Sequence, residues 1–330
     1  MHILVAGGAG YIGSHTAKAL ALAGHTPVIY DNFERGHRQA ARWGVTVEGD
    51  LADRRRLAET FRAYPIGGVI HFAAFIAVGE SMREPEMYFQ NNVASTINLL
   101  GAMREADVKH IVFSSTAAVY GTPESCPIPE DHPLRPDSVY GDSKLMVERI
   151  LHWFGVAHGL RSAKLRYFNA AGADPGGEAG EDHEPETHLI PLALAAAAGQ
   201  IPHLSLFGTD YPTVDGTAVR DYVHVTDLAA AHLLALDYLR GTGESITANL
   251  GTGQGFTVRQ VIHAVERVTG RAVPVVEAPR RAGDSVELVA DPTRARQLLG
   301  WTPTHSSLDE IVETAWNWHE RQRPGAPTAR

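Results

Sequence analysis

Short apolar runs and stretches with helical spacing alternate along the first half of the chain. HILVA (2–6) precedes SHTAKALALAG. TPVIYD, VTVEG, GGVIHFA, HIVFSS and SAKLRYF read as further strands, with helical patterns in RRLAETFRAY, PEMYFQNNVASTINLLGAMREA and YGDSKLMVERILHWFGVAH. Such alternation predicts an α/β protein: a Rossmann-type doubly wound parallel sheet, with a smaller α/β substrate-binding domain. The pattern places a dinucleotide-binding domain at 1–170, joined by about 219–241, and the smaller domain at 171–218 and 242–330. After residue 168 regularity declines. GADPGGEAGEDHEPETHL is a long polar, glycine-rich stretch, expected to join the domains or cover the substrate, and it leads into the helical run LIPLALAAAAG. The ending RQRPGAPTAR is expected to fray.

The first strand runs into GGAGYIG, with Gly7, Gly10 and Gly13, and then into a helix. Glycines permit a tight turn and close approach of a phosphate, towards which the free N–H groups of the first helical turn point. The second strand ends in Asp31, 18 residues beyond Gly13. A carboxylate there can accept hydrogen bonds from an adenosine ribose and repels a 2′-phosphate, so the expected cofactor is NAD rather than NADP. The other marked strand ends are Asp50, His71 to Ala74, and Ser114 to Thr116. All fall where parallel sheets collect ligands.

Tyr140 and Lys144 lie four apart in SVYGDSKLMVERIL. On a helix they share one face and reach one reacting centre. Taking a hydride from a secondary alcohol requires a base for the hydroxyl proton. A phenol serving at neutrality must be lowered about three units from its reference near 10, or roughly 4 kcal/mol. A lysine ~6 Å away at an effective dielectric of ~20 supplies roughly 2.8 kcal/mol, about two units. The positive nicotinamide ring is the source expected for the remainder. Thr116 can hydrogen-bond the reacting oxygen. The spacing by itself also fits a solvent-facing tyrosine above a solvated lysine.

Composition adds bounds. With 330 residues, 44% hydrophobic and 20% charged, the chain can bury a large core, and its net charge of −9 argues against general binding to nucleic acid or a membrane surface. Cys126 is the only cysteine, so no intrachain disulfide is possible, and nothing marks a signal peptide or a membrane span. A cytoplasmic location is expected. Cys126 has no evident activating neighbour and receives no role. The seventeen histidines show no metal-ligand pairing, and no metal is expected.

The combination of AGGAGYIGSH, VIHFAA followed by VGES, NNV, FSSTAAVYG, YGDSKLMVE, RYFNAAGA, GTAVRDYVHVTDLA, NLGTGQG and APRRAGD closely resembles the UDP-glucose 4-epimerases, which are extended short-chain dehydrogenases/reductases. The glycine loop and the Tyr/Lys pair belong to the wider superfamily; RYFN with VRDYVHV and RRAGD is more specific to nucleotide-sugar enzymes. The resemblance implies reversible inversion of UDP-glucose and UDP-galactose at C4 through a 4-keto sugar, in galactose metabolism. It implies NAD contacts at Gly7, Gly10, Tyr11, Ile12, Gly13, Asp31, Asn32, Asp50, Leu51, Phe72, Ala73, Ala74, Asn92, Ser114, Tyr140, Lys144 and Tyr167. Thr116, Tyr140 and Lys144 match the catalytic residues, and Phe168, Asn169, His188, Leu189, Arg220, Arg281 and Asp284 the nucleotide-sugar contacts beside Thr116 and Tyr140. A homodimer built on the helices around PEMYFQNNVASTINLLGAMREA and SVYGDSKLMVERILHWF is also implied.

Two positions depart from the family pattern. Ile76 stands where some epimerases place a lysine near the cofactor, and Leu288 where side-chain size governs access for 2-acetamido sugars. Leucine is intermediate there, implying little to moderate activity on UDP-N-acetylgalactosamine. The alternatives are an epimerase of another UDP-sugar, a net dehydrogenase, a nucleotide-sugar 4,6-dehydratase and a non-catalytic NAD-binding scaffold. Ala117 and Ala118 beside Thr116 count against the dehydratase, which needs a further acid and base, and the intact Tyr/Lys pair counts against the scaffold.

Overall fold

The computed structural model describes residues 1–281 and 283–322, so the expected fraying of RQRPGAPTAR lies outside the described residues apart from Arg321 and Gln322. Seven strands form the central sheet: β1 (His2–Ala6), β2 (Thr26–Asp31), β3 (Val45–Glu48), β4 (Ile66–His71), β5 (His110–Thr116), β6 (Arg161–Tyr167) and β7 (Ile246–Leu250). Their order is β7-β6-β5-β4-β1-β2-β3, and every neighbouring pair is parallel. The direction of winding reverses between β1 and β4, which opens a crevice at the carboxyl edge.

The inner strands β1, β2 and β4 are largely apolar because both faces of the sheet are covered there. Ile3 and Val5 join a core with Leu20 of α1 (Tyr11–Leu22), and with Leu228 and Leu236 of a long helix at Val225–Thr242. Leu4 and Ala6 face the opposite way. They meet Leu57 of α2 (Arg54–Ala63), Leu99 of α3 (Ser95–Glu105) and Val147 of α4 (Val139–His158). Each fully buried aliphatic side chain contributes roughly 1.5–3 kcal/mol, so the strand ends that carry the site are anchored from both sides.

Two elements differ from the sequence pattern. PEMYFQNNVASTINLLGAMREA is not one helix: Pro85–Tyr88 is a single turn, Phe89–Ala94 is π-helical, and only Ser95–Glu105 continues as α3. The wide turn seats Asn92 inside, where its amide donates to Phe75 O at 3.0 Å and Ser143 Oγ at 3.1 Å. The boundary expected at 242 also moves, because β7 pairs with β6 and completes the large sheet. Trp301, 1% exposed, likewise fills the core beside Leu228 and Leu236. These late segments fall in the range given to the smaller unit.

The smaller unit has its own core. Ile190 and Leu194 of Leu189–Ala197, Val261 and Val265 of Val258–Thr269, and Ile311 and Val312 of Leu308–Arg321 pack together with Leu204 and Leu206. The stretch between Ala171 and Leu189 contains neither helix nor strand, as its polar sequence predicts. It is nevertheless fastened on several sides. Lys18 of α1 binds Asp174 at 2.8 Å, His37 meets Asp182 O at 2.8 Å, and Trp318 Nε1 donates to Glu181 O at 2.9 Å.

Candidate active site

The glycine loop is shaped by contacts that a side chain would destroy. Gly7 has φ +77°, and a Cβ there would lie 2.5 Å from Ala73 N; one at Gly13 would lie 2.1 Å from Gly7 O. At Gly10 the nearest atom would be 3.4 Å away, so that edge stays open to a ligand. Gly10 caps α1 without a side-chain hydrogen bond, and the first turn holds no acidic residue. The N–H groups of the first turn, at Tyr11, Ile12 and Gly13, therefore have no side-chain cap. This cradle fits a dinucleotide pyrophosphate.

Asp31 is buried at the end of β2. Its Oδ2 accepts Ala9 N and its Oδ1 accepts Phe33 N, both at 2.9 Å. A carboxylate has about four acceptor sites, so about two remain for ribose hydroxyls. Burial raises its pKa, and the two N–H donors oppose that rise. Asn32 donates to Asp50 Oδ2 at 2.8 Å, and Leu51 is buried beside them. Phe72 N and Ala73 N both donate to Ala6 O, at 2.8 and 3.0 Å, tying the end of β4 to β1. Ala74 follows, half-buried. Asn92 differs from a free cofactor contact: its amide donors are taken by Phe75 and Ser143, and Oδ1 accepts Phe75 N at 2.8 Å. Its place is to hold that loop against α4. Ile76, at the family's lysine position, is 45% exposed.

On α4, Ser138 caps the first turn by accepting Gly141 N at 3.1 Å, and Ser81 Oγ accepts Tyr140 N at 3.1 Å. A Cβ on Gly141 would sit 2.5 Å from Ala118 O, so this glycine lets the helix approach the turn after β5. That approach brings Tyr140 to Thr116. Burial pushes the Tyr140 phenol up to about 12, with the Thr116 hydrogen bond pulling the other way. Lys144 donates to Ser114 O at 2.9 Å and lies 6.0 Å from the Tyr140 ring centroid. Burial brings the lysine down to about 7. Burial thus disfavours the charged form of both groups, the phenolate and the ammonium. Tyr167 completes the group through a short hydrogen bond with Ser114 Oγ.

The substrate candidates are spread over several elements. Phe168 and Leu288 both pack on the cluster of Ala117, Val119, Tyr120, Ile128 and Leu145 just beyond Thr116. Asn169 N donates to Asp221 O at 3.0 Å, in the strand beside Tyr222–His224. Arg220 donates to Ser285 O at 3.0 Å and lies 3.5 Å from Asp284 Oδ1. Arg281 is exposed, with its guanidinium 4.0 Å from the centroid of Phe207. His188 precedes Leu189, the first residue of its helix, and hydrogen-bonds Glu181. Cys126 packs on the same apolar cluster as Phe168, and its thiol, pushed up by burial, donates to Glu287 O at 3.5 Å.

Sequence reading missed several residues. Gly141, Ser81, Ser143 and the supporting role of Asn92 lie inside the runs YGDSKLMVE, VGES and NNV, but nothing in the spacing singles them out. It also missed a cluster in which Glu181, His183, Glu186 and His188 each offer one ligand atom within 4.8 Å of the others. Burial pushes Glu181 up, but His188 and His183 outweigh it and bring it to about 2; burial pushes His188 down, and Glu181 brings it to about 9. The direct contact between Glu181 and His188 makes the cluster a self-neutralising ion pair beside Tyr11, whose hydroxyl donates to Gly172 O at 2.5 Å.

A parallel doubly wound sheet with this glycine loop and a Thr/Tyr/Lys group at its carboxyl edge defines an extended short-chain dehydrogenase/reductase. Residues 4–315 match the family model described as GDP-mannose 4,6 dehydratase. The UDP-glucose 4-epimerase of Lacticaseibacillus casei is 50% identical over 329 residues, covering 98% of this chain and 98% of that protein. The UDP-glucose 4-epimerase of Brucella ovis, solved in complex with NAD, superposes with a TM-score of 0.94 at 51% identity, over 96% of this chain and 97% of that one. That of Stenotrophomonas maltophila, solved with NAD and formylated UDP-arabinopyranose, gives a TM-score of 0.93 at 43% identity, over 97% and 98% of the two chains. The chain belongs to the UDP-glucose 4-epimerases.

Proposed function

We propose that this protein interconverts UDP-glucose and UDP-galactose by inverting C4, with NAD as its cofactor. The observation that carries the reading is the meeting of Tyr140, Thr116 and Lys144 beside an NAD cradle, in a chain related to 4-epimerases over nearly its whole length. NAD bound in this cradle would supply the hydride acceptor and donor that a redox-neutral inversion at C4 needs. The chain's own residues handle the proton and the geometry. Tyr140 takes the C4 hydroxyl proton and later returns it. Thr116 hydrogen-bonds the C4 oxygen, and the positive charge of Lys144 favours the phenolate. Gly7, Gly10, Tyr11, Ile12, Gly13 and Asp31 hold the dinucleotide, with Asn32, Asp50, Leu51, Phe72, Ala73, Ala74, Ser114 and Tyr167 around it. Phe168, Asn169, His188, Leu189, Arg220, Arg281 and Asp284 hold the nucleotide sugar, the guanidinium of Arg220 or Arg281 matching a diphosphate.

The dehydratase chemistry in the family model's description has no support at the catalytic edge: Ala117 and Ala118 follow Thr116 and cannot exchange protons. A homodimer fits the surface, since Ile97 of α3 and Trp153 and Val156 of α4 are large apolar residues left 44%, 65% and 66% exposed. No helix among the described residues is long and apolar enough to cross a membrane, and the reading places the enzyme in the cytoplasm. Purified protein incubated with UDP-galactose and no added NAD, followed by proton NMR, is expected to yield a mixture with UDP-glucose. Failure with and without added NAD, in folded protein, refutes the substrate assignment.

A further inference from the structure

Helix α4 carries a third polar residue in line with the reacting pair. Tyr140, Lys144 and Glu148 are spaced by four and share one face. Each engages the end of β5: Tyr140 meets Thr116, Lys144 Nζ binds Ser114 O at 2.9 Å, and Glu148 Oε1 accepts Ser115 Oγ at 2.6 Å. Three helical turns thus grip three consecutive strand residues. Glu148 is 6% exposed and is gripped in turn by Arg166, 4% exposed, through Nε at 2.9 Å and a terminal nitrogen at 2.5 Å. Arg166 stands opposite Ser115 in the β5–β6 register, so a single carboxylate joins the helix to two neighbouring strands.

The network continues outward. Arg166 donates to Tyr120 OH at 3.0 Å, Tyr120 to Asn249 Oδ1 at 2.7 Å, and Asn249 Nδ2 to Ile128 O at 2.8 Å. Ile128 N donates to Val289 O at 2.8 Å, next to Leu288 on the sugar side. A buried ion pair is a poor stabiliser, since well-packed apolar residues of similar volume often match or exceed it. What apolar residues cannot supply is a directional grip on Ser115.

We propose that Glu148, held by Arg166, is a positioning residue that fixes the register between α4 and the end of β5, so that Tyr140 stays beside Thr116 and Lys144 keeps its bond to Ser114. The groups facing the phenol are then set: Thr116 from β5, Tyr167 from β6 and Lys144 from its own helix, with His71 from β4, uncharged because burial lowers it, behind the lysine.

Two variants test this in the NAD-loaded protein. Ser115→Ala removes the grip without altering charge. Glu148→Met combined with Arg166→Met removes both ions at nearly constant volume. The first readout is the tyrosinate titration of Tyr140, identified by its absence in Tyr140→Phe, and it does not depend on which sugar nucleotide is the substrate. Letting the phenol drift from Thr116, which favours its charged form, is expected to raise that titration by about one unit in Ser115→Ala. The kinetic arm rests on the epimerase reading. There kcat on UDP-galactose is expected to fall about tenfold in the double variant, with KM within about twofold and NAD content at the parent level. Should the double variant fail to fold, Ser115→Ala decides alone. An unchanged titration in folded Ser115→Ala overturns the proposal, and so does a rise in KM at constant kcat. A parent protein inactive on UDP-galactose defeats the epimerase reading instead, while the titration still judges Glu148.

Discussion

At the scale of single residues, the phenol of Tyr140 is held at about 12 and the ammonium of Lys144 at about 7, both through burial. Cofactor charge must therefore reverse the setting of the base, and the Tyr140 titration is expected to lie lower with NAD+ bound than with NADH. Equal values in the two redox states, read from tyrosinate absorbance, contradict this. Tyr140→Phe should lower kcat by about 10²- to 10⁴-fold while retaining NAD; a loss of less than tenfold would move the base elsewhere. Leu288 shares the apolar cluster with Phe168 beyond Thr116. Leu288→Tyr is expected to reduce the ratio of activity on UDP-N-acetylgalactosamine to that on UDP-galactose, and an unchanged ratio ends the steric account. The conspicuous residues, Gly7, Gly13, Asp31, Tyr140 and Lys144, were legible in the sequence because each obeys a spacing set by local geometry. Glu148 and Arg166, though inside YGDSKLMVE and RYFN, stood out by no spacing, and Asn92 was legible through NNV only as a cofactor contact and not as a brace. Their partners lie on other elements, and only the fold brings Ser115 to one and Phe75 to another.

At the scale of elements, β1 to β6 and α2 and α4 fall close to their sequence patterns, because periodicity reports burial on the two faces of the sheet. The π-helical turn at Phe89–Ala94 was hidden, since its cause is the bonding of Asn92 to distant backbone rather than any local propensity. The strand at Ile246–Leu250 was hidden too; it enters the sheet nearly eighty residues after β6. Gly141 shows how strongly context overrides propensity. Alanine within a helix normally stabilises by about 1 kcal/mol relative to glycine. Here a Cβ would stand 2.5 Å from Ala118 O, so Gly141→Ala is expected to destabilise by about 1–3 kcal/mol and to lower kcat. A denaturant midpoint at or above the parent's would show that the helix and the turn can part without cost.

At the scale of the whole molecule, burial keeps His15, His224 and His232 near 4 and His71 near 3, all below the usual 6.5. A group whose folded value is depressed takes up its proton more readily when unfolded. The stability these four provide is complete above about pH 6.5 and is lost as pH falls through about 4. His188, raised to about 9, runs the other way: its contribution is complete below 6.5 and disappears as pH climbs through 9. The urea midpoint should thus fall steeply between pH 6.5 and 4, and a flat profile there would contradict the four neutral histidines. The fastening of the polar loop bears on how the molecule is made. Glu181 beside the dinucleotide cradle is secured by Trp318, and the seventh strand and Trp301 are also late arrivals in the chain. The rim of the glycine turn is thus held only when Leu308–Arg321, far downstream of that turn, has docked, and whatever loosens this helix loosens the cradle with it.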